Sequence, residues 1–390
     1  MLSTRRLRRL RFTPFAIAAA LCCAGSALGA QGAVSIQGFG YPGGELSTRA
    51  LGMGGSIADF DANSPINPAA LLVGTRATVY LQYDPEFRWV TGSGLNTSTI
   101  TARFPLFVVS GKVGSNARVS LSYSSFLDRT WTNTYQDTQT VGGLRIPSNV
   151  TALSDGGIAD IRGAVSWTFS PKLTIGAGLH VFPGENRVVF GRAFPNDTTS
   201  FGAFSQTNTF NFSGSAVSFG VIATPLTHLN IAASARLGFS MHVHQGDSTT
   251  LGDAKIPNRV SLSAAYDGIG GTILSARYGN EQWSSMRGLG SPGLSIFDAN
   301  EFSAGLETAG PKLNSIPMAV RLGFRDRTLP FGFGTQQVRE TEVNAGLGVP
   351  LSQGRAALDL TLAHALRSAG NSGYSETGWI FSLGIAIKPY

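Results

Sequence analysis

The chain has 390 residues, 49 of them glycine, and only 14% are charged, against about 25% in ordinary soluble domains. Its formal net charge is +7, but Arg5, Arg6, Arg8, Arg9 and Arg11 supply much of that at the very start, so the rest carries no basic surface of the kind nucleic acid requires. No segment is a continuous apolar run of about 18 residues, which excludes a transmembrane helix.

Residues 1–30 have the build of a secretory signal peptide. The arginine-rich start is followed by a short apolar run, Ala16 to Ala24, and by the small, cleavable stretch Gly25-Ser26-Ala27-Leu28-Gly29-Ala30. Cleavage is expected near Gly29 to Gln31. Both cysteines, Cys22 and Cys23, fall inside this segment. The processed chain then has no thiol for disulfides or metal ligation, and a lipoprotein-type cleavage is not expected.

Residues 31–75 do not alternate. They contain Gly40-Tyr41-Pro42-Gly43-Gly44, then Arg49-Ala50-Leu51-Gly52-Met53-Gly54-Gly55, Ala58-Asp59 and Asn67-Pro68-Ala69. Glycines at this density allow tight turns and close backbone approach. Asn67-Pro68 suits a turn or helix start, with asparagine capping and proline at the first helical position. The apolar residues Leu51, Met53, Ile57, Leu71 and Leu72 argue against a disordered tail. A compact, non-strand stretch ahead of a barrel is expected to be a hatch in the lumen, carried by Gly52, Gly54, Gly55, Asn67, Pro68 and Ala69.

From residue 76 to 390 the pattern is dyadic. At the C-terminal end Trp379, Phe381, Leu383, Ile385 and Ile387 share one face, opposite Ser382, Gly384, Ala386 and Lys388. Segments of this kind lie near 76–84, 98–109, 117–126, 158–169, 172–182, 206–223, 228–240, 258–267, 271–281, 300–308, 317–326, 339–349, 354–366 and 377–388. In 172–182, Leu173, Ile175, Ala177, Leu179 and Val181 oppose Thr174, Gly176, Gly178 and His180. In 354–366, Leu358, Leu360 and Leu362 oppose Asp359 and Thr361. The connections alternate between short ones, such as Ser170-Pro171 and Gly268–Gly270, and longer ones, such as Pro85–Thr97, Leu127–Gly157, Pro183–Ser205 and Arg327–Val338. Lipid offers no hydrogen bonds, so strands cross it only as a closed barrel, and single-chain bacterial barrels have an even strand number. The expected fold is therefore all-β: a transmembrane antiparallel β-barrel of about 14 strands in a Gram-negative-type outer membrane. Both barrel ends would be periplasmic and the longer loops external. Tyr390 stands out of phase with the lipid face unless Pro389 makes a bulge.

At this point the chain resembles the FadL-type outer-membrane transporters of long-chain fatty acids and other hydrophobic compounds. The residues that carry the resemblance are the Gly52–Gly55 cluster, Ala58-Asp59, Asn67-Pro68-Ala69 leading into the first strand, Ile256-Pro257-Asn258-Arg259-Val260-Ser261-Leu262, and Gln282-Trp283-Ser284. The resemblance implies a 14-stranded barrel blocked by an N-terminal hatch. It also implies ligand capture at the external loops and passage past the hatch, often through a side opening in the wall. The implied partners are hydrophobic small molecules (fatty acids or hydrocarbons), outer-membrane lipid and the barrel assembly machinery, with no cofactor and no nucleic acid. The stretch Arg49 to Gly55 is also similar to PorV-type barrels, shuttles of a protein secretion system, so that second function stays open beside passive uptake.

Strand phase points Arg103, Arg118, Arg162, Arg236, Arg277, Arg321 and Arg325 inward, with Glu307, Glu342 and Asp359. Arg236, Arg277, Arg321 and Arg325 are candidates either to grip a carboxylate head group bidentately or to hold the hatch through ion pairs. Phe190, Phe194, Phe201, Phe204, Leu329, Phe331 and Phe333 lie in expected external loops, where they form a greasy capture groove or pack on one another. His242 and His244 share a strand face without an evident third ligand, so no metal site is expected. No Gly-x-Ser-x-Gly elbow, phosphate loop or acid–base pair is visible, and no spacing suggests a Ser–His pair at a barrel rim. The chain is not expected to be an enzyme.

Overall fold

The computed structural model describes residues 39–73, 77–92, 95–141, 143–194, 202–246, 249–289, 295–313, 316–370 and 372–388. The expected signal peptide, Phe201 and Tyr390 lie outside the described residues. β1 spans Thr78–Gly92, β2 is Leu95–Arg103 continued by Leu106–Val113, and β3 is Ala117–Asp128 continued by Trp131–Val141. β4 is Leu144–Ser170, β5 Leu173–Ala193, β6 Phe204–Leu226 and β7 Leu229–Gln245. β8 is Thr249–Lys255 continued by Arg259–Ile269, β9 Thr272–Glu281, β10 Ala299–Leu313 and β11 Ile316–Phe333. β12 is Gln336–Leu351, β13 Ala356–Ser368 and β14 Ser375–Ile387. Each strand pairs antiparallel with the next, and β14 returns to β1 with Ile387 opposite Val79 and Ser375 opposite Thr91. The sheet is a closed 14-strand barrel, and among the described residues no helix is long and apolar enough to cross a membrane.

The dyad pattern sets the two faces. On β5, Leu179 is 70% exposed and Val181 57%, whereas His180 between them is 3% exposed. On β13, Leu360 and Leu362 face out while Asp359 and Thr361 are buried. Large apolar side chains such as Phe107, Leu121, Phe219, Leu262, Leu322 and Phe381 stand on the exterior. Only hydrocarbon can cover such a belt without a large hydration cost.

The strands run further than the apolar alternation suggests. Most of Leu127–Gly157 and Pro183–Ser205, expected as loops, is strand: β3 and β4 pair out to Val141 opposite Leu144, and β4 and β5 out to Asn149 opposite Ala193. Arg327–Val338 shrinks to a tight turn at Gly334 (φ 58°). These extensions mix polar, glycine and apolar residues on both faces, with Thr, Asn and Gln dominating 131–141, so apolar periodicity does not mark them. Ladder hydrogen bonds and β-branched side chains hold them instead. Breaks within strands have local causes. Pro105 and Pro257 have no N–H to donate to the ladder, and after Asp128 its own side chain accepts from Thr130 N at 3.0 Å and bends the chain.

Residues 39–73 make contacts around the whole ring. Tyr41 and Pro42 pair with Asp128 and Leu127 of β3. A short helix, Thr48–Gly52, is capped by Ser47 Oγ, which accepts from Ala50 N at 3.1 Å. Its end is turned by Gly54 and Gly55 at φ 65° and 89°, a conformation that favours glycine. Pro68 opens a 3-10 turn, Pro68–Val73, and Asn67 Oδ1 accepts from Ala69 N at 2.9 Å. A segment that touches β1, β3 and β5 through β14 in turn lies inside the bore.

Candidate functional site: the bore and the segment within it

Inward glycines make room for the segment. A Cβ at Gly176 would overlap Pro68 and Ala69, one at Gly220 would overlap Asn67, one at Gly305 Met53 and one at Gly323 Gly54. The backbones of wall and segment therefore approach as closely as they can. Polar groups then fix the position. Asp59 is fully buried. Its Oδ1 accepts from Ser234 and Ser261 at 2.9 Å each, and its Oδ2 from Ser263 at 2.6 Å and Arg277 Nε at 2.9 Å. Arg49 forks onto Glu307 at 2.9 and 2.7 Å. Thr48 N donates to Tyr80 Oη at 2.8 Å, and Thr361 Oγ1 donates to Thr48 O at 2.7 Å. Glu45 accepts from Arg236 at 2.9 Å and also from Arg259. Burial alone would raise the Glu45 pKa, but Arg259 and then Arg236 outweigh it and bring it down to about 2.

The four candidate arginines all sit on the inner wall, each committed to carboxylates. Arg236 and Arg277 clasp the segment through Glu45 and Asp59. Arg321 bridges Glu307 and Asp359 at 2.6 Å each and packs under Gly52, and Arg325 pairs with Glu301 at 2.6 Å. They form an ion-pair lattice around the segment rather than an open carboxylate grip. Arg103 likewise pairs with Asp128 and Glu86.

Sequence reasoning missed the part Tyr41 plays. Its ring lies beneath the guanidiniums of Arg88, Arg367 and Arg103 at 4.6, 5.1 and 5.3 Å, a stacking worth more when desolvated. Its hydroxyl donates to Glu340 at 2.8 Å and accepts from Arg327 at 3.1 Å. Burial pushes its pKa up to about 12. The proline and glycines that follow were the visible signal, because they force a turn into the wall.

Toward the long-hairpin end the bore turns apolar. Phe126 stacks on Trp283 at 5.1 Å, Phe39 meets Trp283 edge-on at 5.8 Å, and Phe126 meets Phe182 at 4.8 Å. Of the expected greasy residues, Leu329 and Phe331 are buried in this cluster and Phe333 packs against it. Phe190 and Phe204 remain exposed on other strands. Between the cluster and the segment lies a cavity of about 160 Å³, bounded by Tyr41, Leu46, Leu51, Phe126, Trp283 and Leu329 and floored by Glu45, Arg236 and Arg259. His242 pairs with Asp253 on an exposed edge, and no cluster of metal-ligating side chains occurs among the described residues.

No protein-family model matches the sequence, and no curated protein matches it. Solved structures do match by shape. A FadL homologue from Pseudomonas aeruginosa superposes with a TM-score of 0.59 at 12% identity, over 90% of this chain and 99% of the other. The CymD monoaromatic hydrocarbon channel gives 0.55 at 13%, over 92% and 99%. The toluene transporter TbuX of Ralstonia pickettii gives 0.55 at 14%, over 88% and 98%. The chain has the FadL-type fold. At these identities the likeness concerns backbone architecture, and the chemistry of the bore rests on the residues described above.

Proposed function

We propose that the protein is an outer-membrane channel for passive inward passage of hydrophobic small molecules, with residues 31–75 as its hatch and both barrel ends in the periplasm. The observation that carries this is the aromatic-walled cavity between the hatch and the long-hairpin end. Its 160 Å³ is close to the roughly 150 Å³ that holds one benzene in an apolar protein cavity. That size favours single-ring hydrocarbons over long-chain fatty acids while the hatch is seated. The shared fold with CymD, a monoaromatic hydrocarbon channel, and TbuX, a toluene transporter, supports the same choice.

The exit we assign is the seam between β14 and β1. Tyr83 pairs with Leu383 and Glu86 with Ile380, but Asp84 and Pro85 have no ladder partner in β14. Pro85 cannot donate there. The cavity reaches Asp84 and Ile380 from inside, and an apolar groove bounded by Pro85, Tyr83, Phe381 and Leu383 faces it from the lipid side. A ring would leave sideways into the bilayer past Asp84, which lines the cavity with Glu86 and Arg103.

Uptake of radiolabelled toluene and oleate by cells expressing this barrel as their sole channel of the kind tests both parts. Saturable toluene uptake exceeding oleate uptake is expected. Joining Pro85→Cys to Phe381→Cys with a bifunctional thiol reagent should abolish it. Equal uptake with and without the barrel, or free ion conductance by the intact protein, rules out the hatched channel.

A further inference from the structure

We propose that Ser218, His180 and Asp160 form a nucleophile–base relay on the inner wall, and that it cleaves carboxylic esters of apolar acids that enter the bore. Strand register assembles it. Arg162 lies opposite His180 across β4 and β5, and His180 lies opposite Ala216 across β5 and β6. Asp160 and Ser218 are thus each one diagonal step from His180, within reach of long side chains. His180 Nδ1 meets the Asp160 oxygens at 2.8 and 2.9 Å, and His180 Nε2 meets Ser218 Oγ at 2.8 Å. Arg236 Nη1 stands 3.7 Å from Asp160 Oδ2. An ionised Asp160 accepts the Nδ1 proton, which leaves Nε2 as the acceptor for the Ser218 hydroxyl.

A second observation points to a reacting group. Arg162 is fully buried, and its Nε and Nη1 have no hydrogen-bond partner. Unpaired donors of this kind are costly in a native interior. Ser218 and Arg162 both crowd the inner face of Gly178: a Cβ there would stand 2.6 Å from Ser218 Oγ and 3.3 Å from Arg162 Cδ. Arg162 is the buried cation on the strand beside His180, and its unpaired donors are the groups available to an oxyanion formed at Ser218. The ring of Phe182 stacks over His180 at 6.1 Å and joins the aromatic cluster, which selects an apolar acyl or aryl group. Asn67 and Pro68 press on Gly220, two residues from Ser218, so a seated hatch covers the relay.

The step balances with water alone. Ser218 Oγ bonds to the ester carbonyl carbon and passes its proton to His180 Nε2. The C–O bond to the alcohol breaks, and the alcohol leaves with that proton. Water then attacks the acyl-serine, gives a proton to His180, and Ser218 regains it as the acid departs. Ser218 and His180 touch the reacting atoms; Asp160 is a positioning residue.

The proposal rests on the channel reading for the ester to arrive, and the test separates the two. The full-length barrel in detergent is treated with a fluorophosphonate probe, and labelled peptides are identified by mass spectrometry beside hydrolysis of p-nitrophenyl butyrate. Phosphonylation at Ser218 is expected, absent in Ser218→Ala. Asp160→Asn should slow it by roughly 10⁴-fold, the loss seen when the base takes the wrong tautomer, and should alter its pH profile while heat-modifiable gel migration stays that of the folded barrel. Asn67→Ala, which loosens the cover, should speed labelling. An unlabelled Ser218 in both the native and Asn67→Ala barrels, or ester hydrolysis that survives Ser218→Ala, overturns the proposal. If that protein still takes up toluene, the ester chemistry alone is lost; if uptake fails while Ser218 labels, the channel reading alone is lost.

Discussion

The inner segment meets two different walls. Toward β6–β14 and β1 it is fastened by side chains: Asp59 to four partners on β7, β8 and β9, Arg49 to Glu307 on β10, Thr48 to Thr361 and Ser382, and Asn67 to Val221 O. Toward β2–β5, among the described residues, the hydrogen bonds are backbone ones, the Tyr41–Pro42 pairing with β3 and Gly43 N donating to Phe126 O at 2.9 Å, with Pro68 close over Gly176; side chains add the Arg103 guanidinium 5.3 Å from the Tyr41 ring and apolar packing on Phe126 and Leu127. The β2–β4 wall instead carries hydroxyls of Thr99, Thr101, Ser120 and Ser166 without partners. The segment's side-chain hydrogen bonds and ion pairs are thus concentrated on one side of the bore.

The strongest way to break that asymmetry is Asp59→Ala. It removes one carboxylate from four donors and leaves Arg277 buried with one pair fewer. Breaking a buried pair on one side costs about 3–5 kcal/mol. The expected outcome is a lower melting temperature in detergent and steady ion conductance in planar bilayers. Ser166→Ala on the opposite wall, which deletes an unpaired hydroxyl, should leave both unchanged. Equal effects at the two sites would show that the walls do not differ.

Gly220→Val tests the close fit rather than the charges. The new side chain would occupy the space of the Asn67 side chain. Overpacking of this kind costs about 1–3 kcal/mol, taken here by displacement of the Asn67-Pro68-Ala69 turn. Faster proteolysis of residues 39–73 is expected, with the barrel itself still heat-modifiable. Unaltered protection would mean that the glycine ring is not what seats the segment.

How much of this was legible follows from what a sequence states locally. The lipid face of β5, β13 and β14 is written in alternate Leu, Ile and Phe, and the strand count followed from it. The outer ends of β3, β4 and β5 were not legible, because polar, glycine and apolar residues mixed on both faces carry no period. Asn67-Pro68 and Gly54-Gly55 announced turns through their own backbone preferences. Asp59 announced nothing, because Ser234, Ser261, Ser263 and Arg277 lie far along the chain and only register brings them to it. The inward phase of Arg236, Arg277, Arg321 and Arg325 was legible, but their carboxylate partners were not, so gripping a ligand and bracing the segment looked alike. The same limit hid Asp160, His180 and Ser218: each is inward by phase, and their alignment depends on the pairing of three strands.

The smallest effect concerns acid. Glu45 ties the segment to β7 and β8, and its pKa is lowered from 4.5 to about 2. A carboxylate whose folded pKa is depressed contributes stability that is complete above its unfolded value and fades as pH falls toward the folded one. Acidifying from pH 7 to about pH 5 should therefore leave hydrogen exchange of residues 39–73 and the closed conductance unchanged. Loosening should begin below 4.5 and be complete near 2. In Glu45→Gln this acid step should vanish, with the segment looser at every pH because Arg236 and Arg259 lose a charged partner. An acid transition centred near pH 6 in the native protein would place control of the segment elsewhere than at Glu45. An acid step that survives in Glu45→Gln would assign it to another carboxylate of the ion-pair lattice, and the two moorings would then have to be ranked by charge reversal at Arg259 against Arg277.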